Sequence, residues 1–98
     1  MVSHRIEIDS VSEHVDLPHM IEEACRALGL RATLLGTLKS YPGSIHWHIK
    51  KGQERGTLEL TYWPKAARLW LSVRRGRDAE WVLPAMKQIK GSIEQDIG

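Results

Sequence analysis

The spacing of apolar residues changes twice along this chain, and the change limits what the chain can fold into. Across residues 31–75 apolar and polar side chains alternate, which is the pattern of strands that bury one face. In the flanking segments apolar residues recur at steps of three and four, as in a helix packed along one stripe. The sequence therefore predicts a sheet and two helices that share one core.

Residues that favour turns divide the alternating region into strands joined by hairpins. We predict these strands at residues 31–39, 44–50, 57–63 and 68–75. A further short strand is predicted from His4 to Ser10, where Ile6 and Ile8 alternate with charged residues.

Helices are predicted on both sides of this region. The first runs from Leu17 to Leu28, with Asp16 as its N-cap and Gly29 as a left-handed C-terminal stop. The start of the second stays open between Ala79 and Pro84, because proline removes a backbone donor. Its apolar stripe consists of Val82, Met86, Ile89, Ile93 and Ile97.

The resulting order, β-α-β-β-β-β-α, indicates an α+β fold with an antiparallel sheet and both helices packed on one face. At 98 residues the chain fits a single domain over 1–98. The order of elements is similar to that of the repeat unit of the TATA-box-binding protein family, and this likeness covers nearly the whole chain. It is a likeness of topology without a shared sequence motif, so it assigns no functional residue.

Targeting features and cysteine usage favour a cytoplasmic protein. The sequence has neither the apolar core of a secretory signal nor the roughly 18 apolar residues that span a bilayer, so no membrane association is predicted. Its one cysteine, Cys25, cannot form an internal disulfide and lies on the apolar stripe of the first helix. We interpret Cys25 as a core residue in a reducing compartment.

Charge is unevenly distributed, although the net charge is only +2. Residues 31–77 contain ten Lys or Arg and two acidic residues, whereas the segments on both sides are acidic. The predicted sheet is thus the basic part of the molecule. Basic surfaces attract polyanions such as nucleic acids.

Alternation also assigns the two faces of the sheet. The set predicted to face the helices comprises Ile45, Trp47, Ile49, Leu58, Leu60, Tyr62, Leu69, Leu71 and Val73. The outer set comprises His46, His48, Lys50, Thr57, Glu59, Thr61, Trp63, Arg68, Trp70, Ser72 and Arg74. Two tryptophans on a water-facing sheet are unusual, and they require a partner or a cover.

The outer set offers few groups for chemistry. His46 and His48 lie at i and i+2 of one strand and project to the same side, as a metal pair does, with Glu59 as the one obvious third ligand. Solvated sheet histidines are the simpler interpretation. The sequence has no nucleophile elbow, triad spacing or phosphate-binding loop, so we predict no catalytic residue, metal or cofactor and favour a non-enzymatic protein.

Arg74, Arg75 and Arg77 form the densest basic cluster, next to the predicted start of the second helix. Helix amides and guanidinium groups together favour an anion, but Asp78 already supplies negative charge there. A phosphate site and a solvated turn both fit this cluster.

The leading hypothesis is a binding domain that engages nucleic acid through the outer sheet face. The residues assigned to it are Trp63 and Trp70 for base stacking, His46 and His48 for hydrogen bonds, and Arg68, Arg74, Lys50, Arg75 and Arg77 for phosphates. The alternative is a protein-interaction or homodimerisation module that uses the same face, because Trp and Arg are enriched at interfaces. The third hypothesis is a small-ligand site or a histidine-based metal site.

Overall fold

The structure is a computed structural model, and it describes residues 2–8 and 17–97. Within these ranges, strands and helices follow one another in the predicted order. The strands are β1 (Val2–Glu7), β2 (Arg31–Gly36), β3 (Ile45–Lys50), β4 (Leu58–Trp63) and β5 (Arg68–Arg74). The helices are α1 (Leu17–Ala27) and α2 (Val82–Ile97), and a short 3-10 helix (Pro64–Ala66) links β4 to β5.

The strands form one antiparallel sheet in the order β1-β5-β4-β3-β2. Consecutive hairpins place β2 to β5 side by side, and the N-terminal strand β1 pairs with the last strand, β5. His48, Glu59 and Ser72 lie opposite one another across the central strands. Both helices contribute to one core against one face of the sheet, so the predicted α+β architecture is confirmed.

The core contains the residues that the alternation assigned to the helix side. Trp47 and Leu60 of the sheet are fully buried, and so are Ile21 of α1 and Met86 of α2. The indole Nε1 of Trp47 donates a hydrogen bond to Glu22 Oε2 at 3.1 Å, which ties α1 to the sheet. An indole N–H at the edge of a core needs such an acceptor.

The ends of the elements differ from the prediction by a few residues. Asp9, Ser10 and the predicted cap Asp16 lie outside the described residues. Helix α2 begins at Val82, between the two starts that the sequence left open. Pro84 lies in its first turn, where the missing N–H costs no helical hydrogen bond.

Cys25 is fully buried in α1, as predicted for a core residue. Burial raises the pKa of its thiol to about 12, and the negative charge of Glu22 adds to the effect. The thiol therefore stays protonated at neutral pH and is not a nucleophile.

Candidate functional site

The sheet face that points away from the helices, called the polar face below, carries the residues predicted for function. One end of it is covered by the β2–β3 connection, residues 37–44, which we call the covering loop. Two hydrogen bonds connect residues within this loop. Ser44 Oγ accepts one from the backbone N–H of Leu38 at 3.1 Å, and the backbone N–H of Ser44 donates the other to the Tyr41 carbonyl at 3.0 Å.

Tyr41 is the residue through which the covering loop contacts the sheet. Its ring meets Trp70 edge-on with 4.9 Å between centroids, and it meets Trp63 in the same way at 5.1 Å. Trp63 is half-buried, and its Nε1 donates to the Pro42 carbonyl at 2.8 Å. Trp70 is only 4% exposed, so the prediction that it lies on an open stacking face is wrong. The chain itself supplies the cover that two tryptophans on this face require.

Two guanidinium groups complete the enclosure of Trp70. Arg5 Cζ lies 4.6 Å and Arg68 Cζ 4.8 Å from the ring centroid, within the range of cation–π attraction. Both groups also bind Glu7 Oε2, at 2.9 Å and 3.1 Å. Arg68, predicted to contact phosphate, is therefore engaged in a cluster with its own chain.

Glu59 gathers both histidines beside the covered end. Its Oε1 lies 3.0 Å from His46 Nε2 and 3.9 Å from His48 Nε2, whereas its Oε2 accepts a hydrogen bond from Arg74 Nε at 3.0 Å. On the other side of the ring, His46 Nδ1 lies 2.8 Å from Thr61 Oγ1. His46 and Glu59 are buried, which corrects the interpretation of His46 as a solvated sheet residue. His48 is half-buried at the rim.

Burial and the neighbouring charges shift the pKa values of Glu59 and His48. The hydrogen bond with His46 lowers the pKa of Glu59, and the positive charge of Arg74 helps to outweigh burial, which acts to raise it. Burial lowers the pKa of His48, and nearby Arg77 and Arg74 add to this shift against the opposing effect of Glu59. At neutral pH the ionised carboxylate of Glu59 therefore lies beside the largely neutral imidazole of His48.

The other end of the polar face is open and positively charged. We call it the basic end. Lys50 and Arg74 lie at its strand ends, the charge of Arg77 acts on His48, and the exposed Arg75 lies between Arg74 and Arg77 along the chain. The side chain of Arg74 is 60% exposed, although its Nε is bound to Glu59. Lys50 Nζ donates to the Gly56 carbonyl at 2.6 Å.

The arginines of the basic end lie at the last residue of β5 and in the turn and loop after it, and not at a helix terminus. The N–H of Arg77 donates to the Arg74 carbonyl at 2.9 Å, and α2 begins only at Val82. Between them, Asp78 Oδ1 accepts from the N–H of Ala79 at 2.8 Å. Amides of the α2 N-terminus therefore do not add to this cluster, and phosphate binding by its side chains stays a prediction.

A small cleft separates the covering loop from the Glu59 cluster. Its volume is about 130 Å³, and its walls include Arg5, Tyr41, His46, Glu59, Trp70 and Arg74. Pockets for drug-sized ligands measure roughly 300–1,000 Å³, so this cleft has room for an ion and a few water molecules but not for a nucleotide.

Arg5, Glu7 and Tyr41 were not identified from the sequence. The aromatic ring within the Tyr41-Pro42-Gly43-Ser44 turn was the one available signal, because a solvated turn seldom needs a large apolar side chain. Nothing in the local sequence of β1 indicates that it pairs with β5 and brings Arg5 and Glu7 beside Trp70.

Comparison with known proteins assigns no family to this chain: no family model, no curated protein and no solved structure matches it. Within residues 2–8 and 17–97, no helix is long and apolar enough to cross a membrane.

Proposed function

We propose that this protein binds phosphate-bearing polyanions, single-stranded nucleic acid foremost, through the basic end of the polar face. The observation that carries the proposal is that Arg74 and Arg77 lie close enough to the rim residue His48 to lower its pKa, while the carboxylate beside them, Glu59, is buried and already paired. A phosphate chain crossing this end meets cations while the nearest sheet carboxylate is neutralised. The proposed setting is the reducing cytoplasm.

The covering loop changes how such binding is expected to work. Trp70 is buried and Trp63 is held against Pro42, so neither ring presents an open face to a base. Phosphate contacts remain, together with hydrogen bonds from His48. Contacts of this kind fix position but carry little sequence information. Binding should therefore depend steeply on salt and weakly on sequence.

Arg77→Ala should weaken binding of a labelled single-stranded oligonucleotide in fluorescence anisotropy. One lost phosphate contact on a single strand should flatten the plot of log affinity against log salt by about 0.7. Because the Arg77 side chain is exposed, the fold should be unaffected. Lys87→Ala is the matched control, since Lys87 is an exposed base on α2. Equal losses in the two variants, or no binding by the wild type at low salt, would reject the proposal.

A second candidate function, self-association, is favoured by the edge strand β2. Leu34 and Leu35 are 57% and 53% exposed there, and the outer edge of β2 pairs with no other strand of the described chain. An exposed apolar edge is a template for another strand. We commit to a second copy of this chain as the partner, joined β2 to β2. This interface replaces the predicted one on the polar face, part of which the covering loop occupies.

Leu34→Lys should abolish any dimer seen in sedimentation velocity, because it places a charge in the strand edge that two copies would share. The wild type should shift from monomer to dimer as its concentration rises. Leu83→Lys, at an exposed leucine of α2, serves as the control and should behave as the wild type. A wild type that sediments as a monomer throughout would eliminate this candidate.

A further inference from the structure

The Glu59 cluster combines groups that coordinate metal ions. His46 and His48 project to the same side of β3, and Glu59 lies opposite His48 on β4. One ligand atom from each of the three residues can be chosen so that all lie within 4.8 Å of one another. Two strands thus supply three donors from a rigid part of the sheet. Sites built on regular elements hold their geometry better than sites on loops.

The distances are close to those of a coordinated ion. With bonds of about 2.0–2.2 Å to imidazole nitrogen and carboxylate oxygen, neighbouring donor atoms lie roughly 3.0–3.5 Å apart. Glu59 Oε1 and His46 Nε2 are 3.0 Å apart and already satisfy this. His48 Nε2 is 3.9 Å from Oε1, and the three ligand atoms lie within 4.8 Å of one another, so the half-buried ring at the rim must move by about 1–2 Å to complete the site.

The surrounding contacts hold these donors in place. When an ion takes the place of the proton on His46 Nε2, Thr61 Oγ1, at 2.8 Å from Nδ1, can accept a hydrogen bond from Nδ1–H, and Nε2 then binds the ion through its lone pair. Arg74 binds Oε2 of Glu59, which leaves Oε1 facing both imidazoles. Ligating histidines and carboxylates usually have outer partners of this kind.

We propose that His46, His48 and Glu59 form a binding site for a first-row divalent transition metal ion, with Zn²⁺ as the ion to test. Two imidazoles and one carboxylate suit Zn²⁺ and its neighbours, whereas Mg²⁺ and Ca²⁺ prefer ligand sets made of oxygen alone. Three protein ligands leave at least one position of the ion for water or another ligand.

Arg74 opposes the ion, because its guanidinium group lies on the same carboxylate. Arg74→Gln removes this positive charge but keeps an amide nitrogen at the position of Arg74 Nε, which can still donate to Glu59 Oε2. The variant should therefore bind Zn²⁺ several-fold more tightly. The same change should weaken oligonucleotide binding, since Arg74 belongs to the basic end. The two proposals thus predict opposite effects for one variant, and the failure of one does not imply the failure of the other.

Isothermal titration of the full chain with Zn²⁺ tests the site directly. The wild type should bind one ion, and His48→Ala should bind it at least about tenfold more weakly, since loss of even an outer partner costs about that much. His19→Ala, at an exposed histidine of α1, should bind as the wild type does. Circular dichroism checks that each variant is folded.

Titration with Co²⁺, followed by visible absorption, gives a second readout. The wild type should develop the absorption bands of a low-coordinate Co²⁺ ion with nitrogen ligands, and His48→Ala should not. Equal Zn²⁺ affinity in the wild type and His48→Ala, or the absence of binding by the wild type, would overturn the proposal. The cluster would then be an internal ion pair only.

Discussion

Trp70→Ala should lower the free energy of unfolding by about 3–5 kcal/mol, the usual loss for a large aromatic removed from a packed site. The ring is 4% exposed and lies among Tyr41, Arg5 and Arg68. Removing it leaves a cavity, and it also takes away the surface on which two guanidinium groups and a phenol pack. Urea denaturation followed by circular dichroism measures the change.

Trp63→Ala is the matched control for this prediction. Trp63 meets the same Tyr41 ring and donates one hydrogen bond to the covering loop, but it is only half-buried, so its loss should be clearly smaller. A loss below about 1 kcal/mol for Trp70→Ala, typical of exposed positions, would mean that the loop does not cover the ring. Base stacking on Trp70 would then return as a mode of binding.

The order and facing of the elements could be predicted because they depend on local periodicity. A strand has a period of two, so Leu60 and Thr61 must point to opposite faces, and the apolar set must face the helices. The two helical stripes required the same face of the sheet for burial. Leu60, Ile21 and Met86 are all fully buried in one core as a result.

The exposure of the polar face could not be predicted in the same way. Alternation shows which residues share a face but not whether another segment covers it. Cover depends on Tyr41, which lies in a turn, and on β1, which reaches β5 from the other end of the sequence. Both contacts are long-range, and no local pattern encodes them.

The His46–His48–Glu59 cluster could be predicted only in part. The i, i+2 spacing predicted that the histidines share a side, and the β3–β4 hairpin made Glu59 a neighbour. The burial of Glu59 and its bond to Arg74 depend on β5, the register of which the sequence did not specify. The sequence alone therefore favours solvated histidines, whereas the β4–β5 register places Arg74 on Glu59 and buries the cluster.

Glu59→Gln should destabilise the protein by about 1–3 kcal/mol at neutral pH in metal-free buffer, because it weakens charge-assisted hydrogen bonds to Arg74 and His46 in a buried position. This difference should depend on pH. The pKa of Glu59 is lowered in the folded protein from its ordinary value of 4.5, first by the hydrogen bond with His46. The unfolded chain therefore takes up the proton at a higher pH than the folded protein does.

Because the pKa of Glu59 is lower in the folded protein than in the unfolded chain, acidification removes the stabilisation. Stabilisation by the ionised carboxylate is fully present above pH 4.5 and is lost as the pH falls through the lower pKa of the folded state. Since the amide of the Glu59→Gln variant does not titrate, the two proteins should converge in stability as the solution is acidified. Glu54→Gln, at an exposed carboxylate of the β3–β4 loop, should show neither the loss nor the convergence. The contrary result is a difference in unfolding free energy between the wild type and Glu59→Gln that stays constant from neutral to acidic pH. That result would show that the folded state does not hold this carboxylate ionised. The ion pairs of Glu59 with His46 and Arg74 would then contribute nothing to stability.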